Sequence, residues 1–420
     1  MILMRYQLTT GVNLEVIPTN KFNMNQLLIN FATPQTAENA TARNLLANLL
    51  ETSTKKYPTQ TALADRLANL YGAYVNMGVS RVGRLHCVRL KASFVNNELA
   101  NEDLFQQLVA VIQEMLFNPL ADNGRFDEPT FNRQAINLRS TIKGYYDDKQ
   151  FWAARRLLDL YYRDNSVMKV PSFGRSQAIS QLTPASVYQT YQQMMAHDRV
   201  DIFFLGNVDE GQVERALAQL PFTPRPNAAE QPEILYQQPL YRQVQRQVEY
   251  QPVSQAKLNI GYQLPVYSGE KLYYAGLVFN DLFGGSPFSK LYMNIREQAG
   301  LAYYAASRLM PFNGLVSVQS GIDSRRAAQV EELIDEQLAD LQAGRFSAER
   351  FAEVQNGLAN QYLSSNDLAG NILGRRLTNR LLGLPNQDEA AAIHAVTRDQ
   401  VVKVAKMMKK QAVYLLSGEN

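Results

Sequence analysis

The sequence predicts an α+β fold of two homologous α/β-sandwich halves, each a mostly antiparallel sheet packed with helices, because one order of elements runs through the chain twice. Three pairs of segments carry the repeat. LTPASVYQTYQQMMAHDRVDIFFLG (182–206) and VTRDQVVKVAKMMKKQAVYLLSG (396–418) each read as a capped helix running into a buried strand. LYGAYVNMGVSRVGRLHCVRLKASF (70–94) and GLAYYAASRLMPFNGLVSVQSGI (300–322) each read as an antiparallel hairpin, turning at Gly83 or Gly314. FDEPTFNRQAINLRSTIK (126–143) and FSAERFAEVQNGLANQYL (346–363) read as long helices at matching places.

Each element has a local cause. Thr183 precedes Pro184, whose fixed φ suits the first helical position, and Thr397 with Gln400 makes a capping box that satisfies free amide groups. Both halves open with strands that lead into a helix: LEVIPTNKFNMNQLLINFAT into one over 41–51, and KLNIGYQLPV into one over 271–283. Between the halves, PFTPRPNAAEQPEILYQQPLYRQ (221–243) is rich in Pro and Gln, lacks apolar periodicity and is expected to stay extended. The expected domains are 1–220 and 244–420, joined by a linker over 221–243.

A chain of 420 residues that is 46% apolar can bury more than one core. Lys and Arg number 42 against 39 Asp and Glu, and the charges are scattered, so neither nucleic acid nor an anionic membrane is the expected partner. No apolar run reaches the roughly 18 residues of a membrane-spanning helix. Cys87, the single cysteine, cannot close an internal disulfide, and MILMRYQLTTGVNL lacks the basic start, apolar stretch and cleavage site of a signal peptide. The expected location is the cytoplasm.

One stretch, DLFGGSPFSKLYMNIREQAGLAYYAASR (281–308), resembles the second-half signature of the insulinase (pitrilysin-type) zinc metallopeptidase family. The duplicated element order extends the resemblance over essentially the whole chain, and it implies an insulinase or mitochondrial-processing-peptidase-like clamshell. In that signature an arginine and a tyrosine seven residues later line the active-site chamber, and the resemblance puts them on Arg296 and Tyr303. A guanidinium fork orients a peptide carbonyl or carboxylate, and a phenol donates to a developing oxyanion. The plainer alternative makes Arg296 a solvated helix residue and Tyr303 a packed sheet residue.

The family's first half carries His-x-x-Glu-His on a helix, two imidazoles one turn apart with a Glu as base, and takes a third ligand from a later helix. TSTKKYPTQ (52–60) resembles the segment after that motif. It sets Asn44 and Asn48 at the two histidines, Ala47 at the base, and Ser140 or Thr141 at the later ligand. Neutral amides are poor zinc ligands beside imidazole, and Ala47 cannot take a proton from water. The three histidines, His86, His197 and His394, include no pair within one helical turn. Metal ions and other cofactors are therefore not expected.

No Walker loop, Gly-x-Gly-x-x-Gly, Gly-x-Ser-x-Gly or Cys-x-x-Cys occurs. Gly284 and Gly285 read as a turn after a helix. His86 and Cys87 are adjacent in a strand and face opposite ways, so Cys87 reads as core. The pairs Tyr145-Tyr146 and Tyr161-Tyr162 read as packing, and Asp147-Asp148 and Arg155-Arg156 as solvated helix charges.

Within the resembled family, two-chain enzymes occur in which one subunit holds the zinc motif and the other keeps only the arginine and tyrosine. The implied role is a noncatalytic subunit that pairs with a zinc-motif-bearing homologue and acts on a peptide or unfolded protein. LLETSTKKYPT and LFGGSPFSKL also resemble Firmicute zinc-motif-lacking members associated with modification of elongation factor P. Two other readings stand beside this one. The chain could be a clamshell, for instance a homodimer, that holds a peptide uncleaved, or a subunit of a peptidase that matures a peptide in a biosynthetic cluster.

Overall fold

The computed structural model describes residues 4–96, 100, 102–226, 228 and 233–418. One sheet contains β1 (Met4–Thr9), β2 (Val12–Pro18), β3 (Met24–Pro34), β4 (Tyr74–Val82), β5 (Leu85–Val95) and β6 (Arg199–Gly206), in the order β1-β2-β6-β3-β5-β4. A second contains β7 (Gln245–Tyr250), β8 (Ala256–Gln263), β9 (Ala302–Met310), β10 (Leu315–Ile322) and β11 (Lys409–Ser417), in the order β9-β10-β8-β11-β7. Read from the other end, the second order matches β2-β6-β3-β5-β4 strand for strand. The match includes the single parallel pairing in each sheet, β2 with β6 and β7 with β11. The repeat expected from sequence is thus a repeat of topology, and both units are α+β. β1 has no counterpart in the second sheet.

The last strand of each half enters between two earlier ones, β6 between β2 and β3 and β11 between β7 and β8, which is why it reads as an apolar run without alternation. All eight residues of Arg199–Gly206 are buried. The helices feeding these strands start where expected. Thr183 Oγ1 accepts from the Ser186 amide at 3.1 Å, and Thr397 Oγ1 accepts from the Gln400 amide at 3.3 Å.

The compact units are not the consecutive blocks 1–220 and 244–420. One comprises residues up to Lys143, Val170–Ile234 and Leu368–Gly383; the other comprises Gly144–Lys169, Leu235–Asp367 and the residues from Leu384 on. Helix Lys149–Tyr161, from the first half, packs on β8 and β11, and helix Ala369–Leu382, from the second half, packs on β6 and β3. Each has an i, i+4, i+8 stripe that must be buried: Ala153, Leu157 and Tyr161 in one, Leu373, Leu377 and Leu381 in the other. The first stripe joins Ala412, Tyr414 and Leu416 in one apolar cluster. Periodicity identifies such a stripe but not the sheet that covers it.

The described residues of 221–243 form no helix or strand, but they are docked and not a loose linker; residues 227 and 229–232 lie outside the described residues. In the first unit Arg225 is buried, its amide donates to the Thr10 carbonyl at 2.8 Å, and the Ile234 carbonyl accepts from the Arg84 amide at 2.8 Å. In the second, the Tyr236 amide donates to the Phe312 carbonyl at 2.8 Å and the Tyr241 hydroxyl to the Tyr161 carbonyl at 2.9 Å. Among the described residues, no helix is long and apolar enough to cross a membrane.

Candidate functional site

Asn44, Ala47 and Asn48 lie in helix Asn39–Thr52 of the first unit. Ala47 is fully buried, Asn48 is half-buried, and Asn44 donates from Nδ2 to the Phe173 carbonyl at 3.1 Å. A loop lies across this face of the helix. Its Ser172 carbonyl is 2.8 Å from His86 Nε2, and its Arg175 amide donates to Thr41 Oγ1 at 3.0 Å. Gly174 has a φ of 80°, and a Cβ there would collide with Thr41, so only glycine lets the loop come this close. Asn44 thus fastens a loop. Thr141 and Ser140 are exposed on helix Glu128–Asp147, which does not pack along Asn39–Thr52. Among the described residues, no group of three or more His, Cys, Asp or Glu is placed to hold a metal ion.

Beside Asn44 is a buried charge network that sequence reading missed. Arg43 Nη2 meets Asp198 Oδ2 at 2.6 Å and the Phe31 carbonyl at 3.2 Å, and Nε donates to His86 Nδ1 at 3.0 Å. A guanidinium can only donate, so His86 Nδ1 presents its lone pair and the imidazole proton is assigned to Nε2, bonded to Ser172. Burial first, and then the Arg43 charge, push the His86 pKa down to about 3. Burial also pushes the Asp198 carboxyl up, against the pull of Arg43. The available signal was Arg43 itself, the only basic residue in NATARNLLANLLET. Cys87 is buried, as expected.

The depressed histidine gives stability a pH dependence of definite sign. From its ordinary 6.5 down to about 3 the unfolded chain holds a proton on this ring that the folded chain does not. Stability is therefore fully present above pH 6.5 and falls through that window, by at most about 1.4 kcal/mol per pH unit from this group. Asp198, with its raised carboxyl, works in the opposite direction as pH falls. His86→Gln keeps an acceptor for Arg43 and a donor for Ser172, so it is expected to flatten the slope measured by urea unfolding from about pH 7 to 4. An unchanged slope would assign the effect elsewhere.

Arg296 and Tyr303 both belong to the second unit. The signature preceding them continues helix Tyr273–Asn280 as a π-helical turn, Asp281–Gly285, and a second π-helical segment, Leu291–Gln298, carries Arg296. Gly284 and Gly285 are thus part of a helical continuation and not the turn expected. A Cβ on Gly285 would collide with Asn280 and Asp281, and one on Gly284 would come within 2.6 Å of the Ser307 amide. Close packing explains these glycines without a phosphate.

Arg296 has an exposed side chain, stacked over the Tyr292 ring at 4.7 Å, hydrogen-bonded to the Tyr292 hydroxyl and 3.6 Å from Glu297. Tyr292 precedes Arg296 by four residues, a spacing that signals contact on a helix and went unused. Tyr303 is 71% exposed, which rules out the packed alternative. The cause is local. β9 pairs Ala302 with Ile322 and then Tyr304 with Gly321, so Tyr303 is the extra residue of a bulge, and bulges re-aim side chains. Tyr304 instead turns inward and bonds Gln150.

Of the charge pairs read as solvated, Asp147 and Asp148 are exposed as expected, while three of the four residues also have structural roles. Asp148 caps helix Lys149–Tyr161, Arg155 donates to the Lys169 carbonyl at 2.6 Å, and Arg156 pairs with Glu249 at 3.3 Å. Tyr161 and Tyr162 are buried against each other, as expected.

A family model described as the peptidase M16 inactive domain matches residues 181–358. The chain is 29% identical over 416 residues to the probable inactive metalloprotease YmfF of Bacillus subtilis (strain 168), covering 97% of this chain and 96% of that protein. It is 23% identical over 277 residues to the uncharacterized zinc protease YmxG of the same organism, covering 65% and 64%. Among solved structures, a conserved protein from Enterococcus faecalis V583 matches with a TM-score of 0.94 at 38% identity over 99% of both chains. A protease from Helicobacter pylori shares the fold, with a TM-score of 0.82 at 13% identity over 99% of both chains.

Proposed function

Because this chain belongs to the M16, insulinase-type, peptidase family and lacks its zinc-binding motif, we propose that it is a noncatalytic subunit paired with a zinc-bearing homologue. It supplies Arg296 and Tyr303 to the partner's active site, where a peptide or unfolded protein is cut. What supports this reading is that the resemblance puts the zinc positions on Asn44, Ala47, Asn48 and Ser140 or Thr141, and the arginine and tyrosine on Arg296 and Tyr303, both of which are exposed. Exposure matters because neither residue is needed to fill the core, so packing does not account for its presence. Unselective decay would have no reason to spare them.

The two Bacillus subtilis relatives support such a division, since one is named as inactive and the other as a zinc protease. A cytoplasmic site of action and a link to elongation factor P modification belong to the same proposal, the latter through LLETSTKKYPT and LFGGSPFSKL.

The test mixes the purified chain with a zinc-motif-bearing M16 homologue from the same host. The expected result is a one-to-one complex by light scattering, and cleavage of a quenched peptide library by the mixture but not by this chain. A stable homodimer that ignores the homologue would overturn the proposal and favour a protein that holds peptides uncleaved.

A further inference from the structure

We propose that a cavity of about 480 Å³ in the first unit binds a phosphate-bearing small molecule through Arg5, Arg199 and Arg380. The site is built by strand register. Arg5 pairs with Glu15 across β1 and β2, Gln7 pairs with Asn13, and Asn13 pairs with Asp201 across β2 and β6, so these side chains share one sheet face. Arg199, two residues before Asp201, shares it as well. Helix Ala369–Leu382 packs on β6 and adds Arg376 and Arg380, four residues apart.

Four guanidiniums therefore surround two carboxylates. Arg5 Nε is 3.2 Å from Glu15, and Arg376 Nη1 is 3.6 Å from the same carboxylate. Arg199 grips Asp201 with two bonds of 2.8 and 3.1 Å, and Arg380 Nε stands 3.6 Å from it. The side chains of Glu15 and Asp201 are only 5% and 1% exposed, so they lie beneath the arginines. The residues lining the cavity include Arg5, Arg199 and Arg380 with Tyr6, Gln7 and Asn13, and include no Asp or Glu.

The arginines outnumber the carboxylates here, which leaves a surplus of positive charge at a partly desolvated place. Burial and the neighbouring Arg5 and Arg375 charges lower the Arg376 pKa, against Glu15, as expected where like charges crowd. An anion seated among the arginines would relieve that repulsion. The fold itself does not require the cluster: aligning Gly206 with Gly418 puts Val413 of the second sheet at the place of Asp201.

A positive surplus fits a phosphate group, which carries about −1.5 to −2 at neutral pH and offers acceptor oxygens for bidentate guanidinium contacts. The cavity exceeds a bare phosphate and falls in the size range of small-molecule sites, which leaves room for an organic part. Asp209, Glu210 and Glu214 act on the Tyr6 hydroxyl, so the preference for anions rests on the arginine side of the cavity. The proposal stands apart from the peptidase reading.

The test is calorimetric titration of the full chain with pyrophosphate, with orthophosphate and citrate for comparison. Pyrophosphate is expected to saturate at one per chain and more tightly than orthophosphate or citrate, and to weaken about tenfold or more in both Arg5→Gln and Arg380→Gln. The Arg5 side chain is half exposed, so Arg5→Gln keeps the test decisive if Arg380→Gln unfolds. Absence of pyrophosphate binding, or unchanged affinity in the folded variants, would overturn the site. Citrate binding as tightly as pyrophosphate would overturn the assignment to phosphate.

Discussion

In the reconstituted pair, Arg296→Ala in this chain is expected to lower kcat/KM about 10²- to 10³-fold, the usual cost of deleting one preorganised group that stabilises developing charge. The size follows from placement. The Arg296 side chain is exposed, and its recorded partners, Tyr292 and Glu297, lie within a few residues of it. Its removal therefore leaves the core and the thermal midpoint nearly unchanged, and the loss falls on kcat/KM alone. Arg296→Lys should not rescue activity, because an ammonium lacks the planar fork that grips a carbonyl or carboxylate in one orientation. Normal cleavage by the Arg296→Ala complex, assembled and zinc-loaded, would remove this residue from the partner's site.

The second large effect concerns stability. Asp198→Ala strips the buried Arg43 guanidinium of its carboxylate, and breaking one side of a buried ion pair costs about 3 to 5 kcal/mol. Set against a total stability of about 5–15 kcal/mol, such a loss leaves part of the chain unfolded at 37 °C. The variant carrying both Arg43→Leu and Asp198→Leu leaves no lone charge behind and is expected to recover much of the loss. Urea unfolding of Arg43→Leu, Asp198→Leu and the double variant measures this. A double variant as unstable as the sum of its singles would show that the pair is not coupled.

The repeat, the hairpins and the helix caps were legible in the sequence because each depends on residues close together in the chain: Thr397 with Gln400, or the two strands around Gly83. What stayed hidden depends on distant partners. The stripe Ala153, Leu157, Tyr161 shows a buried face, yet nothing within that stripe says that it rests on β8 and β11. Arg43 is visible as the single basic residue of its helix, but Asp198 and His86 are remote in sequence and meet it only through the sheet. The exposure of Tyr303 follows from a bulge that the alternation of AYYAASRLM does not reveal, since one extra residue shifts the register without leaving a mark in composition. The Pro and Gln of 221–243 signal a stretch without helix or strand but not the carbonyls and amides it docks against.

The central claim is that this chain lends Arg296 and Tyr303 to an active site whose metal belongs to another subunit. Native mass spectrometry of the reconstituted complex, followed by its dissociation, tests this most directly by counting zinc on each chain. The predicted result is one zinc per two-chain complex, carried wholly by the homologue, with none on this chain; a stoichiometric zinc ion on this chain would contradict the account.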